Sequence, residues 1–116
     1  MLKFKSPWTD ETYEAMIYAD HYTENGRLYF GLFTSEDVDS FWEPFCDITV
    51  NLFAPITNGK CGYLDTNNAP FIVKFLLDNN LGKLTGRTAQ SGFCEYPEFE
   101  FDMLEMQRYL SEDSRI

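Results

Sequence analysis

The chain has 116 residues, 44 % hydrophobic and 17 % aromatic, with 19 acids against 9 bases for a net charge of −10. That length and apolar content support one folded domain spanning 1–116 and exclude a disordered chain. The charge disfavours direct nucleic-acid binding, and no apolar run approaches the roughly 20 residues a membrane span needs. The acids are unevenly placed. Residues 1–40 hold eight acids and three bases, 93–116 hold seven and two, and 41–92 balance four against four. The excess therefore lies in the two ends. If they meet in space, the protein has a negative face suited to a basic partner.

The start, Met1–Trp8, lacks the apolar stretch and small-residue cleavage site of a signal peptide, so a cytoplasmic location is the default. In residues 13–23, Tyr13, Ala15, Ile17, Ala19 and His21 alternate with Glu14, Met16, Tyr18, Asp20 and Tyr22, which predicts a strand. Asn25-Gly26 then predicts a hairpin, because both residues tolerate positive φ. The returning strand is Arg27–Thr34, and Ser35–Ser40 is a polar turn. A third strand is predicted over 41–52, beginning properly after Pro44, with Ile48, Val50 and Leu52 on one face and Asp47, Thr49 and Asn51 on the other.

Pro55, Asn58, Gly59 and Gly62 mark a loop. Asp65–Asn68 supply cap residues before Pro70, and Phe71, Ile72, Phe75 and Leu76 form a helical stripe opposite Lys74 and Asp78, with Gly82 placed to end the helix. Residues 83–92 show no period and read as an extended loop. Phe93–Phe101 alternates again, with Phe99 and Phe101 inward and Glu98, Glu100 and Asp102 outward. Pro97 makes it an edge strand or breaks it. Asp102 can cap a short helix bearing Met103, Met106 and Leu110, and the tail Ser111–Ile116 is expected to fray. The predicted class is α+β: an antiparallel meander, one main helix packed on one face, and a late edge strand.

Candidate chemistry is sparse. Cys46, Cys61 and Cys94 are widely spaced with no C-x-x-C, so they read as reduced thiols packed as small hydrophobes. Joining them to His21 would make a metal site without the local ligand pairs that mark one, and no metal or cofactor is implied. A Cys46–His21 or Cys94–His21 dyad has no supporting motif, so the chain is read as a non-enzyme with no catalytic residue. The segment Gly82-Lys83-Leu84-Thr85-Gly86-Arg87-Thr88 combines glycines, bases and hydroxyls that suit an anion. It is one residue short of a P-loop, has Arg87 after its second glycine, and precedes no helix. Its plainer reading is a helix end and turn with Arg87 pairing a local carboxylate. Glu36, Asp37 and Asp39 sit in a turn without the continuation of a calcium loop, and Glu95, Glu98 and Glu100 sit on outward strand positions. Aromatic residues Tyr29, Phe33, Phe41 and Trp42 form a candidate interface patch.

Five blocks occur in order: Asn25–Leu28 (NGRL), Ile48–Leu52 (ITVNL), Leu64–Asn68 (LDTNN), Gly82–Thr88 (GKLTGRT) and Ser91–Pro97 (SGFCEYP). This series, over residues 22–104, resembles an uncharacterised family of small proteins carried by plasmids, phages and conjugative elements of Gram-positive gut bacteria. That family has no assigned function, so the resemblance implies no catalytic residues. It implies a mobile-element setting, in which small accessory proteins include inhibitors of CRISPR and restriction enzymes. The first 20 residues fall outside it. On this reading the leading function is a protein-binding accessory factor whose acids Glu36, Asp37, Asp39, Glu95, Glu98 and Glu100 occupy the basic nucleic-acid channel of a host enzyme. The alternative is an anion-binding regulatory module using Lys83, Thr85, Arg87 and Thr88.

Overall fold

A computed structural model describes residues 2–37 and 39–116. The elements are β1 (Lys3–Lys5), β2 (Thr12–His21), β3 (Leu28–Ser35), β4 (Glu43–Asp47), β5 (Thr49–Val50), β6 (Cys61–Leu64), α1 (Ile72–Asp78), β7 (Gly82–Ser91), β8 (Cys94–Phe101) and α2 (Met103–Gln107). They form two antiparallel four-stranded sheets, ordered β1-β2-β3-β4 and β5-β6-β8-β7. Strand accounts for 45 % of the chain and helix for 11 %, so the class is mostly β, with α1 a seven-residue helix rather than a principal element.

The predicted β2–β3 hairpin is present. Gly26 takes φ +72°, Asn25 Oδ1 accepts from the Arg27 N–H at 3.1 Å, and the Tyr22 N–H donates to the Arg27 carbonyl at 2.8 Å. Ala15, Ile17 and Ala19 on β2 and Leu28, Phe30 and Leu32 on β3 turn inward. The same core takes Phe99 and Phe101 from β8, Ile72, Phe75 and Leu76 from α1, and Met106 from α2. Phe30 and Phe101 meet at 4.6 Å between ring centroids, which joins the two sheets.

The predicted third strand divides. Its first part, β4, pairs with β3 in the first sheet, and its last part, β5, pairs with β6 in the second. Ile48 sits at the crossing: its N–H donates to the Phe30 carbonyl and its carbonyl accepts from the Asp65 N–H. The face assignment changes with it. Thr49 is buried beside Ile48, and its hydroxyl accepts from the Phe30 N–H at 3.2 Å.

Helix α1 buries the predicted stripe, but Asp65 does not cap it. The Asp65 carbonyl accepts from Ala69 N–H and so closes a preceding turn, while Phe71 at the N-cap position makes no side-chain cap bond. The helix ends at Asp78, and just beyond its C-cap Asn79 the chain turns at Asn80, which takes φ +58°, with the Leu81 N–H returning to the Leu76 carbonyl at 3.0 Å. Gly82 instead opens β7.

Residues 83–92 are expected to be a loop, but Gly82–Ser91 form this ten-residue edge strand. Its period is hidden because it is largely exposed and interrupted by a bulge between Leu84 and Thr88, where Gly86 takes φ +91°. Consequently β8 is an interior strand, not an edge. Pro97 is tolerated because it lies beyond the stretch that pairs with β6, which ends at Glu98.

The tail is not frayed. Residues 109–115 lie along β2: Ile17 N–H donates to the Tyr109 carbonyl, Ser111 N–H to the Ile17 carbonyl, and Arg115 N–H to the Ala19 carbonyl, at 2.9, 2.7 and 2.7 Å. Ser114 Oγ accepts from the Ala19 N–H at 2.9 Å. The run is parallel to β2, with Leu110 bridged to Ile17. Only part of the acidic C-terminal end meets the N-terminal one, therefore: the tail, with Glu112 and Asp113, runs along β2. Strand β8 belongs to the other sheet.

Candidate functional site

Of the acids singled out in the sequence, Glu98 and Glu100 lie on the strand next to Lys83, Thr85 and Arg87 and are largely satisfied by them. Glu98, expected outward and solvated, is fully buried. The loop 51–60 covers it. Thr57 donates through its N–H to Oε2 at 2.8 Å and through its hydroxyl to Oε1 at 2.6 Å, and Thr85 Oγ1 donates to Oε1 at 2.6 Å. Arg87 Nε stands 3.8 Å from the same oxygen. Burial pushes the Glu98 carboxyl upward, but the Thr57 and Thr85 hydrogen bonds, with Arg87 behind them, outweigh it and hold the carboxyl below its ordinary range.

Glu100, partly exposed, accepts from the Asn58 side-chain amide at 2.8 Å and has Lys83 Nζ at 3.8 Å. The Asn58 bond, helped by Lys83 and Lys60 against some desolvation, lowers its pKa. Lys83, Thr85 and Arg87 are thus engaged with carboxylates. Thr88 faces Pro97 in the ladder and is exposed. A cleft of about 600 Å³ beside them is lined by Lys60 and Lys83 but also by Glu100 and Asp102, so its charges are mixed.

The same loop is held from below by a residue the sequence reading assigned only to a strand. Arg27 Nη1 donates to the carbonyls of Leu52 and Ala54 at 2.7 and 2.6 Å, and Tyr63 Oη donates to the carbonyl of Pro55. No local pattern marks this clamp, since its partners are backbone atoms some 25 residues away.

The remaining candidate acids are placed differently. Glu36, Asp37 and Asp39 are exposed in the β3–β4 turn, where Asp37 Oδ1 accepts from the Asp39 N–H at 2.9 Å. Glu95 is exposed near the β7–β8 hairpin. Of the aromatic patch, Tyr29 and Phe33 share the outer face of the first sheet, Trp42 is half-buried just before β4, and Phe41 is 91 % exposed. Tyr18 and Asp20 join Tyr29 and Phe33 on that outer face, and the tail lies alongside β2 there. The sequence alternation had already set Tyr18 and Asp20 apart from the core side; what it could not show was which strand faces them.

Among the described residues, six of the nine bases stand in ion pairs: Lys3–Glu14, Lys5–Asp10, Lys74–Asp78, Lys83–Glu100, Arg87–Glu98 and Arg108–Glu105. Arg27 is occupied by the two loop carbonyls. The surface excess is therefore carboxylate. Among the described residues, no group of three or more His, Cys, Asp or Glu is arranged to hold a metal ion, and no helix is long and apolar enough to cross a membrane.

Residues 17–115 match the profile of a family described as a domain of unknown function, DUF4313. The chain belongs to this family. The match starts midway along β2 and runs through the tail, so it takes in the second sheet, both helices and the Glu98 cluster. No curated protein and no solved structure matches the chain.

Proposed function

We propose that this protein is a small acidic accessory factor that acts by binding another protein through a basic surface on that partner. The observation that carries the reading is the internal use of the bases. With Lys83, Thr85 and Arg87 committed to Glu98 and Glu100, the unpaired charge left for a partner is negative. Glu36, Asp37 and Asp39 project from one turn, and the tail that carries the exposed Glu112 and Asp113 runs along β2. Such an array attracts arginine- and lysine-rich surfaces and speeds their encounter. Glu98 is withdrawn from the binding set because its oxygens are already bonded.

The finer form of the proposal is an inhibitor of a host nucleic-acid-processing or defence enzyme, of anti-CRISPR or anti-restriction type, carried on a mobile element and located in the cytoplasm. The acids would occupy the arginines and lysines that otherwise hold phosphate. The support is the resemblance to mobile-element proteins together with the sign of the exposed charge.

The test is capture of basic proteins by the immobilised chain at about 50 and 500 mM salt, a range over which screening lengths fall several-fold. Capture that is lost at high salt and in the triple variant Glu36→Gln, Asp37→Asn, Asp39→Asn is the expected result. Capture indifferent to both overturns the reading.

A further inference from the structure

The outer face of the first sheet is built from aromatic rings that the core does not use. On β2, Met16, Tyr18 and Asp20 alternate away from Ala15, Ile17 and Ala19. The register sets Phe33 opposite Met16, Gly31 opposite Tyr18 and Tyr29 opposite Asp20. Tyr18 stands edge-on to Tyr29 at 6.3 Å and to Phe33 at 6.4 Å. All three rings are half-buried, yet none belongs to the central core or packs against it, and the buried residues Ile72, Phe75, Leu76 and Met106 of the two helices lie in the core on the opposite side.

Carboxylates border these rings and are bonded to them. Tyr29 lies across Gly31, where a Cβ would meet its hydroxyl, and donates to Asp47 Oδ1 at 2.6 Å. Tyr18 donates to Asp20 Oδ2 at 2.9 Å. Asp20 Oδ1 also accepts from the His21 N–H at 2.7 Å and Arg115 of the tail lies beside it, so Asp47, bonded through Oδ1 alone, offers the freer lone pairs to an incoming donor. A ring face beside a fixed carboxylate suits a group that is flat, cationic and rich in N–H donors. Guanidinium meets that description: it stacks on the ring and directs its fork to the carboxylate. A lysine ammonium is a compact, strongly hydrated charge and gains less from the ring. An apolar partner would bury Asp47 without a cation, and a second copy would bring like charges together.

We infer that this face, centred on Tyr18, Tyr29 and Phe33 and bordered by Asp20 and Asp47, docks arginine side chains of a basic protein partner. The assignment rests on the proposed function and narrows it from basic to arginine-bearing. The aromatic centre would supply the dry core of the contact and the acids its polar rim.

The probes are two capped peptides, Gly-Arg-Gly-Arg-Gly and Gly-Lys-Gly-Lys-Gly, titrated into the full chain at low salt and followed by aromatic carbon–proton NMR. The arginine peptide should bind about fivefold tighter than the lysine peptide. It should also shift the ring signals of Tyr18 and Tyr29, and its own side-chain protons should move upfield. Tyr18→Leu should erase the preference while leaving the weaker, charge-driven binding of both peptides. Asp47→Asn, at an exposed rim position, serves the same purpose if Tyr18→Leu does not fold. Equal affinities, unmoved tyrosine signals, or a concentration-dependent dimer in sedimentation that hides the face would each overturn the assignment. Loss of arginine preference with salt-sensitive capture intact removes this assignment alone. Loss of capture with the preference intact removes the proposed function.

Discussion

Thr85 and Glu98 face each other across the bulge between β7 and β8, the threonine hydroxyl donating to Glu98 Oε1 at 2.6 Å. With Thr57 on the same carboxylate, this contact ties an edge strand, an interior strand and the loop 51–60 into one unit. Thr85→Val removes one donor from a buried charge, which costs about 2 kcal/mol. The measurement is chemical denaturation at neutral pH.

The same cluster sets an acid limit. The Glu98 carboxyl titrates below its ordinary 4.5 in the folded protein, so its contribution to stability is complete above that value. It is lost as pH falls through the lowered folded pKa. Melting temperatures between pH 7 and pH 2.5 should drop through this window. In Thr85→Val, the folded pKa rises toward the unfolded value, so the difference between variant and parent should shrink as the pH falls. A gap that stays constant with pH would contradict this account.

Gly82→Ala should be among the most damaging single changes. Gly82 takes φ +151°, and an added Cβ would overlap the Glu100 carbonyl oxygen and the Phe99 ring. Both neighbours are in an interior strand and cannot move aside cheaply. A loss of about 3 kcal/mol is expected from strain and overpacking together. It would be read as a lower denaturant midpoint with unchanged slope.

Arg27→Met should loosen the loop without dismantling the sheets. It removes two charge-assisted bonds to the Leu52 and Ala54 carbonyls, worth about 2 kcal/mol. Hydrogen exchange should quicken at the Thr57 amide, which donates to Glu98, while the β2–β3 amides keep their protection.

Cys46 should react slowly with alkylating agents. Burial, with the charges of Asp47 and Asp65 adding to it, pushes its thiol up to about 12. Alkylation at pH 8, followed by mass spectrometry, should lag glutathione by at least about tenfold, because the thiolate is the nucleophile.

The legible and illegible parts of this chain divide along a physical line. The β2–β3 hairpin could be read because Asn25-Gly26 and the inward Ala15, Ile17, Leu28, Phe30 and Leu32 are local signals. The stripe on α1 was visible for the same reason. Strand β7 was not, because an exposed edge with a bulge buries too few residues to show a period. The strand over 41–52 was read as one because period two continues through Ile48, where the chain changes sheets. Pro97 suggested an edge, since a missing N–H matters only on the side that is paired, and sequence does not say which side that is. As for the candidate site, Glu98 and Glu100 and the bases Lys83 and Arg87 are visible in the sequence as separate groups. Their mutual neutralisation depends on the β7–β8 register, and the burial of Glu98 on a loop whose anchors are backbone carbonyls.

The strap of residues 109–115 along β2 also orders events in time. Ala19 and Ser114 are separated by 95 positions, so β2 emerges from the ribosome long before the segment that completes its edge. Through that interval the amides of Ile17 and Ala19 are unpaired on an apolar strand, the condition in which strands recruit one another wrongly. The hairpin can close early, but its open side must wait. Chains interrupted before residue 109 should therefore accumulate as aggregates rather than as a smaller folded protein, and the closing of this seam should be the slow, long-range step of folding.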